Sequence, residues 1–301
     1  MRIVDNRGLL LRVRNPAKIT TAIPTSRQVN NNDVLVRWGV DESRVLRNLN
    51  VKNVPSPILG KYDWQGRYTP FEHQKTTASF LTMNRRAFCF NEQGTGKTGS
   101  AIWASDFLIR EKIIKRVLII CPLSIMESAW AGDLFNFAMH RKVDVAHGAK
   151  KKRQAIINSD AEYIIINYDG VEIVRDEIAN GGFDLIIADE ATHYKNAQSK
   201  RWKVLHSLIT PDTWLWLMTG TPAAQSPVDA YGLGKLVNPK GVPRFFGGFR
   251  ELVMQKVTQF KWVPKPKAVD IVFNALQPAI RFTKEQCLDL PEMTYVKREV
   301  E

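Results

Sequence analysis

The amino-acid sequence predicts an α/β protein: a parallel sheet flanked by helices, preceded by a small β-rich (α+β) domain. Three observations predict it. From about residue 68 onward, near-continuous apolar runs alternate with helical stretches, as strands buried on both faces require. One of those runs, ending at Phe90, leads directly into a glycine-rich turn that opens a helix. Before residue 60 the apolar residues come in short alternating runs, the pattern of a half-buried sheet.

Taken in order, residues 9–14 and 34–38 read as strands, and 41–47 as a short helix with Asp41 as its N-cap. Val54-Pro-Ser-Pro57 reads as a linker. It divides the chain into a small basic accessory domain, 1–60, and a larger domain, 61–301. In the second part the expected strands are 86–90, 116–121, 143–146, 162–167, 183–188 and 213–218. Helices are expected over 71–83, from the glycine turn to about 110, and over 124–138, 150–158 and 200–208. Ligands of such sheets sit at the carboxyl ends of the strands, and every motif below falls at such an end.

Composition narrows the function classes. The 301 residues carry 43 Lys and Arg against 30 Asp and Glu, a formal net charge of +13. Such an excess suits a polyanionic partner, most simply nucleic acid. Three cysteines without paired spacing argue against a disulfide framework and against a zinc site. Cys89 and Cys121 lie in apolar runs and read as core residues. The opening MRIVDNRGLL has no signal-peptide pattern, and no apolar run reaches the ~18 residues of a membrane span. A reducing, intracellular, cytoplasmic setting without membrane contact is the expectation.

The chemistry concentrates in two places. Asn91-Glu-Gln-Gly-Thr-Gly-Lys-Thr98 sits between a strand and a helix. In such a P-loop, glycines let backbone N–H groups turn inward on a phosphate, and the helix N-terminus adds a partial positive charge. Gln93, Gly94, Thr95, Gly96, Lys97 and Thr98 are therefore expected to bind a nucleoside triphosphate, ATP with Mg2+. Lys97 would reach the β- and γ-phosphates, and Thr98 would ligate the metal. Asn91 stands where the pattern has its first glycine. Ninety-two residues after Lys97, the apolar run 184–188 ends in Asp189 and Glu190. A carboxylate at a strand tip can hold Mg2+, and its neighbour can polarise the water that attacks the γ-phosphate.

With these residues in place, the chain resembles the first RecA-like domain of superfamily-2 helicases, most closely the SWI/SNF-type DNA translocases. The resemblance covers roughly residues 68–290 and rests on ordered motifs. Tyr68-Thr-Pro-Phe-Glu-His-Gln74 resembles the adenine-reading segment, which implies that Gln74 meets the adenine edge and that Phe71 or Tyr68 packs nearby. Ile119-Ile-Cys-Pro-Leu-Ser124 and Asn167-Tyr-Asp169 resemble motifs Ia and Ib, so Pro122, Leu123, Asn167 and Tyr168 are implied nucleic-acid contacts. Asp189-Glu-Ala-Thr-His-Tyr-Lys-Asn196 resembles D-E-A-H-x-x-K-N, but Thr192 occupies the usual His position and His193 follows it. Either could link the carboxylates to Met218-Thr-Gly-Thr-Pro222, which resembles motif III and implies a coupling role for Thr219, Gly220 and Thr221. Ala224 and Gln225 stand where the family usually has Gln-Asn. Arg281-Phe-Thr-Lys284 and Leu290-Pro291 resemble the segment before the second RecA-like domain, whose motifs and arginine fingers are not found within these residues.

The implied function is the ATP-binding half of a motor on double-stranded DNA, its hydrolysis slow until the second domain is supplied. An RNA helicase is the alternative, disfavoured by Lys195-Asn196. A nucleotide-dependent scaffold that binds without translocating is another. Three basic stretches remain. Residues 1–60 hold ten basic residues against four acidic ones and resemble, more loosely, the opening of phage-encoded members, which would place the chain in a host cytoplasm. Lys150-Lys-Lys-Arg153 reads as a solvated helix face or a phosphate contact. Lys256, Lys261, Lys265 and Lys267 around Trp262 read as a DNA-tracking stretch or a loose loop.

Overall fold

The computed structural model describes residues 1–222, 225–259 and 261–287; Ala224 and the pair Leu290-Pro291 lie outside them. The chain opens with four antiparallel strands, β1 (Arg2–Val4), β2 (Gly8–Arg12), β3 (Arg27–Gln28) and β4 (Asp33–Arg37), in the order β1-β2-β4-β3. Alternation sets which face is buried. Leu9 and Leu11 of β2 and Val34 and Val36 of β4 point into one small core with Ile19, Trp38 and Leu46. The helix Pro16–Ala22 covers that core; Pro16 pre-sets its first turn, and the Asn15 side chain accepts from Lys18 N–H at 3.3 Å.

Two expectations in this region are corrected. The helix runs Val40–Asn48 with Gly39 as N-cap, so Asp41 is not the cap. Asp41 and Glu42 instead occupy the first turn, where the helix dipole favours negative charge. Val54-Pro-Ser-Pro57 is not a solvated linker. The Trp38 indole donates to the Pro55 carbonyl at 3.0 Å, and the buried hydroxyls of Ser56 and Thr82 lie 2.7 Å apart. The segment is packed against the helix Glu72–Met83, which carries Thr82.

The main sheet contains β5 (Arg86–Cys89), β6 (Val117–Cys121), β7 (Val143–Ala146), β8 (Tyr163–Asn167), β9 (Leu185–Asp189) and β10 (Trp214–Met218). After β11 (Met254–Lys256) and β12 (Trp262–Pro264), which form an antiparallel pair of their own, β13 (Ala279–Ile280) adds a seventh strand. The order is β13-β5-β10-β9-β6-β8-β7, parallel throughout. Successive residues feed opposite cores. Leu185, Ile187, Trp214, Trp216 and Met218 pack on one face, while Ile186, Ala188, Leu215 and Leu217 pack on the other. Each fully buried large apolar side chain contributes about 1.5–3 kcal/mol, so the sheet is held from both sides and its strand tips form a firm edge. Burial pushes the Cys89 thiol up to about 12, in keeping with a core residue.

The expected helix 124–138 is three pieces: a 3₁₀ turn Leu123–Ile125, a π turn Met126–Ala131 and an α-helix Gly132–Ala138. The π turn carries Trp130, whose indole is used at the site below. The lysine-rich stretch around Trp262 is not a loose loop: Trp262 starts β12, and the Arg250 guanidinium lies 4.4 Å from its ring centre. Arg153 is not solvated either. It is buried, donating to the carbonyls of Gly148 and Ala146 at 2.8 Å each.

Candidate functional site

β5 ends at Cys89, and the chain turns through Asn91–Gly96 into the helix Lys97–Arg110. Gly94 and Gly96 have φ of +82° and +75°, a region that side-chain-bearing residues rarely adopt. At Gly96 there is a second reason for glycine, because a Cβ there would stand 1.9 Å from Gln74 Nε2. Thr95 is buried; its hydroxyl donates to the Glu92 carbonyl at 2.8 Å, and its carbonyl accepts from His73 Nε2 at 2.8 Å and Gln74 Nε2 at 3.3 Å. Gln74 Oε1 also accepts the Phe71 N–H at 3.0 Å. Gln74 thus holds the loop from behind. Phe71 is 61% exposed and stacks on His73 with ring centres 5.8 Å apart.

Asn91, in place of the first motif glycine, is fully buried and acts as a bracket. Its amide donates to Thr77 Oγ1 at 2.9 Å, and its Oδ1 accepts the Phe282 N–H at 3.0 Å. Glu92 continues the bracket: its N–H donates to the Phe282 carbonyl at 3.0 Å and its Oε2 accepts the Lys284 N–H at 3.1 Å. Lys284 then passes over the loop, with its Cε 3.5 Å from where a Gly94 Cβ would stand. Sequence reasoning assigned Lys284 no place at this site; only its position beyond a short edge strand brings it here. Gln93 and Gly94 are exposed, and Lys97 and Thr98 are half-buried at the helix start.

Asp189 is the last residue of β9, in register with Met218 of β10. Its Oδ2 accepts the Trp130 indole N–H at 3.0 Å and its Oδ1 accepts the Glu190 N–H at 2.9 Å. Burial raises its pKa; the Lys97 ammonium, the indole and the Glu190 N–H oppose that rise. Glu190 has φ +52°, a left-handed conformation costing on the order of 1–3 kcal/mol for a residue with a side chain. Its Oε1 accepts two hydroxyls, Thr192 Oγ1 at 2.9 Å and Thr219 Oγ1 at 3.1 Å. Thr219 Oγ1 in turn accepts the Thr221 N–H at 3.2 Å, and the Thr219 N–H donates to the Cys89 carbonyl at 3.0 Å. Gly220 faces the loop backbone, where a Cβ would lie 3.6 Å from Glu92 Cα.

The choice between Thr192 and His193 is therefore made by geometry: Thr192 reaches Glu190. His193 does not; it turns to the Tyr168 ring, with centres 4.5 Å apart, and to Arg201 at 3.4 Å. Its expected place in the coupling is corrected. Tyr168 is corrected too. It is buried, and its hydroxyl donates to the carbonyls of Asp189 and Glu190, so it supports the carboxylate turn from within. Asn167 likewise faces inward, its Oδ1 accepting from Arg153 at 2.9 Å. Of the four implied nucleic-acid contacts Leu123 is exposed and Pro122 is half-buried. The lysine after the carboxylates, Lys195, reaches Gln225 Oε1 at 2.6 Å and Asp229 at 3.4 Å.

Phosphate loop, paired carboxylates and threonine turn meet at neighbouring strand tips, which is the layout of a RecA-like P-loop domain. The chain belongs to the SNF2-related domain family, matched over residues 72–277. It is 25% identical over 177 residues to the uncharacterized ATP-dependent helicase YqhH of Bacillus subtilis, covering 57% of this chain and 30% of that one. It is 29% identical over 227 residues to Helicase SWR1 of Eremothecium gossypii, covering 72% of this chain and 15% of that one. The chain thus spans less than a third of these relatives' length. Its fold matches the SWI2/SNF2 ATPase core of Sulfolobus solfataricus solved with double-stranded DNA, with a TM-score of 0.62 at 21% identity over 73% of this chain and 46% of that one. Among the described residues no helix is long and apolar enough to cross a membrane.

Proposed function

We propose that residues 61–301 form the ATP-binding half of a motor that acts on double-stranded DNA inside the cell, with residues 1–60 as an accessory domain. The observation that carries this is the shared contact on Glu190 Oε1, where one carboxylate oxygen holds a hydroxyl from its own turn and one from the next strand tip. A carboxylate that orients an attacking water is thereby tied to the turn Thr219–Thr221, so a change at the γ-phosphate and a change in that turn are mechanically one event.

The residues divide the work as follows. The N–H groups of Gly94–Lys97 and the Lys97 ammonium receive the phosphates. Glu190 aligns a water and accepts its proton as the γ-phosphate is attacked. Thr98 and Asp189 would hold Mg2+, which when bound neutralises charge on the β- and γ-phosphates. The donor set fits that ion: a carboxylate and a hydroxyl are hard oxygen donors, and Mg2+ with a phosphate substrate needs only one or two protein oxygens. Phe71, exposed beside His73, offers a ring to the adenine.

The test is nucleotide binding and turnover with duplex DNA, single-stranded DNA and RNA. Lys97→Ala is expected to abolish nucleotide binding, and duplex DNA is expected to stimulate turnover most. Stimulation by RNA alone would establish the RNA-helicase reading, and DNA binding without any stimulation the scaffold reading. Unchanged nucleotide binding in Lys97→Ala would remove the site assignment.

A further inference from the structure

The N-terminal sheet has a face that the fold leaves open. Leu9, Leu11, Val34 and Val36 point into the small core, so the alternate residues of β2 and β4 point outward, and cross-strand partners share their face. The register then assembles the outer surface row by row. Arg2, Leu10, Leu35 and Arg27 form one row across all four strands. Val4, Gly8 and Arg37 form the next, and Arg12 faces Asp33 on the other side. Arg2, Arg12, Arg27 and Arg37 are all exposed, as is Arg7 in the turn between β1 and β2.

With strands ~4.8 Å apart and ~3.4 Å per residue, Arg2 and Arg27 stand about 14 Å apart across the sheet, and Arg12 and Arg37 about 14 Å apart along it. Four guanidinium groups thus bound a patch with two half-buried leucines at its centre. Beside it lies an open hollow of about 560 Å³ whose charged lining is Arg7, Arg27, Arg37 and Asp5. Asp5 and Asp33 are the carboxylates of this face, and Asp33 is engaged by Asn30 Nδ2 at 2.7 Å. Among the described residues, none of the five arginines has a carboxylate within ion-pair distance.

We propose that this face is a second DNA-binding surface, one that takes the phosphate backbone of a duplex. Five arginines against two carboxylates give the charge, and each guanidinium fork matches two phosphate oxygens. The face carries no Phe, Tyr or Trp in its rows, so it offers bases nothing to stack on; single strands are held by such stacking. It is also remote from the nucleotide site. Arg37 also borders an acidic cleft, where Asp41, Glu42 and Glu111 meet Asp184, Asp212 and Trp214; the last three lie at the opposite ends of β9 and β10 from Asp189 and Thr219. The surface therefore works as a tether that is independent of the ATP cycle and of the motor reading.

The experiment is fluorescence anisotropy of a labelled ~20-base-pair duplex with the full chain across a salt series, comparing the unchanged protein with the triple variant Arg12→Gln, Arg27→Gln, Arg37→Gln. Each phosphate contact adds close to one unit to the slope of log affinity against log salt, so the variant is expected to lower the slope by about two to three and weaken binding about 10-fold or more at 0.1 M salt. Its nucleotide affinity and melting temperature should not move, because the three side chains are exposed and unpaired. Lys97→Ala, without nucleotide, should keep the full slope. Unchanged affinity and slope in the triple variant would overturn the proposal. So would a single strand or anionic vesicles proving to be the ligand lost in that variant while duplex binding stays intact.

Discussion

In the proposed function, Glu190 and the two threonines that share its Oε1 gather the coupling of hydrolysis to motion into three side chains. A hydrogen bond to a charged group is worth about 1.5–3 kcal/mol, so Thr219→Val should lower DNA-stimulated turnover by roughly 10- to 100-fold. Nucleotide affinity should hardly change, because Thr219 lies on Glu190 and not on the phosphate loop. Steady-state kinetics together with nucleotide titration check this, and a variant that lost both equally would show the threonine to be merely structural. The glycine turn, Lys97, Asp189 and Glu190 were legible in the sequence because glycine and charge stand out against apolar strands. The Thr192–Glu190–Thr219 link was not, since two hydroxyls 27 residues apart meet only when β9 and β10 lie side by side. Tyr168 and His193 misled for a related reason: a motif gives residue types, while the direction of a side chain is decided by packing.

Elements with a clear apolar pattern were readable even when short, as the strand Val143–Ala146 was, and those without one were not. Lys200–Leu208 and the phosphate-loop helix matched expectation closely, whereas the two-residue β13 carries no pattern, yet it delivers Phe282 and Lys284 to the loop. Between elements, the sharpest joint is Asp106 on the helix Lys97–Arg110. It is 1% exposed and accepts the Tyr62 hydroxyl at 2.6 Å, His140 Nε2 at 3.0 Å and Arg141 Nε at 2.6 Å, while Arg141 also donates to Glu162 at 2.6 Å. Two connecting segments thus hang on one carboxylate, and a third joins them through Arg141. Removing one partner of a buried pair strands the other, at a cost of about 3–5 kcal/mol. Asp106→Ala should therefore lose that much stability, seen as a lower urea midpoint at unchanged slope. A loss under ~1 kcal/mol, the range of exposed pairs, would show that water screens the joint.

At the scale of the whole molecule, the strand tips of β5, β9 and β10 form an open edge. Gln93 and Gly94 are exposed there, and Lys97, Thr98 and Glu190 are half-buried. Such an edge can grip a polyphosphate from one side. Charge that builds on the γ-phosphate during transfer also needs donors from the facing side. Among the described residues that follow β13, Arg281 is drawn to Glu92 at 3.8 Å, and Lys284 lies over Gly94. An arginine positioned on the transferring phosphate is worth about 10³–10⁵ in rate. The 301 residues are therefore expected to bind ATP yet turn it over far more slowly than the order of 1–100 per second seen in efficient phosphoryl transfer, even with duplex DNA present. Joining a second RecA-like half should raise the rate by a factor in that 10³–10⁵ range without a matching change in nucleotide affinity. Single-turnover measurements on the chain alone separate the possibilities. Slow chemistry with tight binding fits an incomplete ring of charge around the phosphate. Full-speed turnover by the chain alone would mean that Lys284 or another residue of this half already completes it.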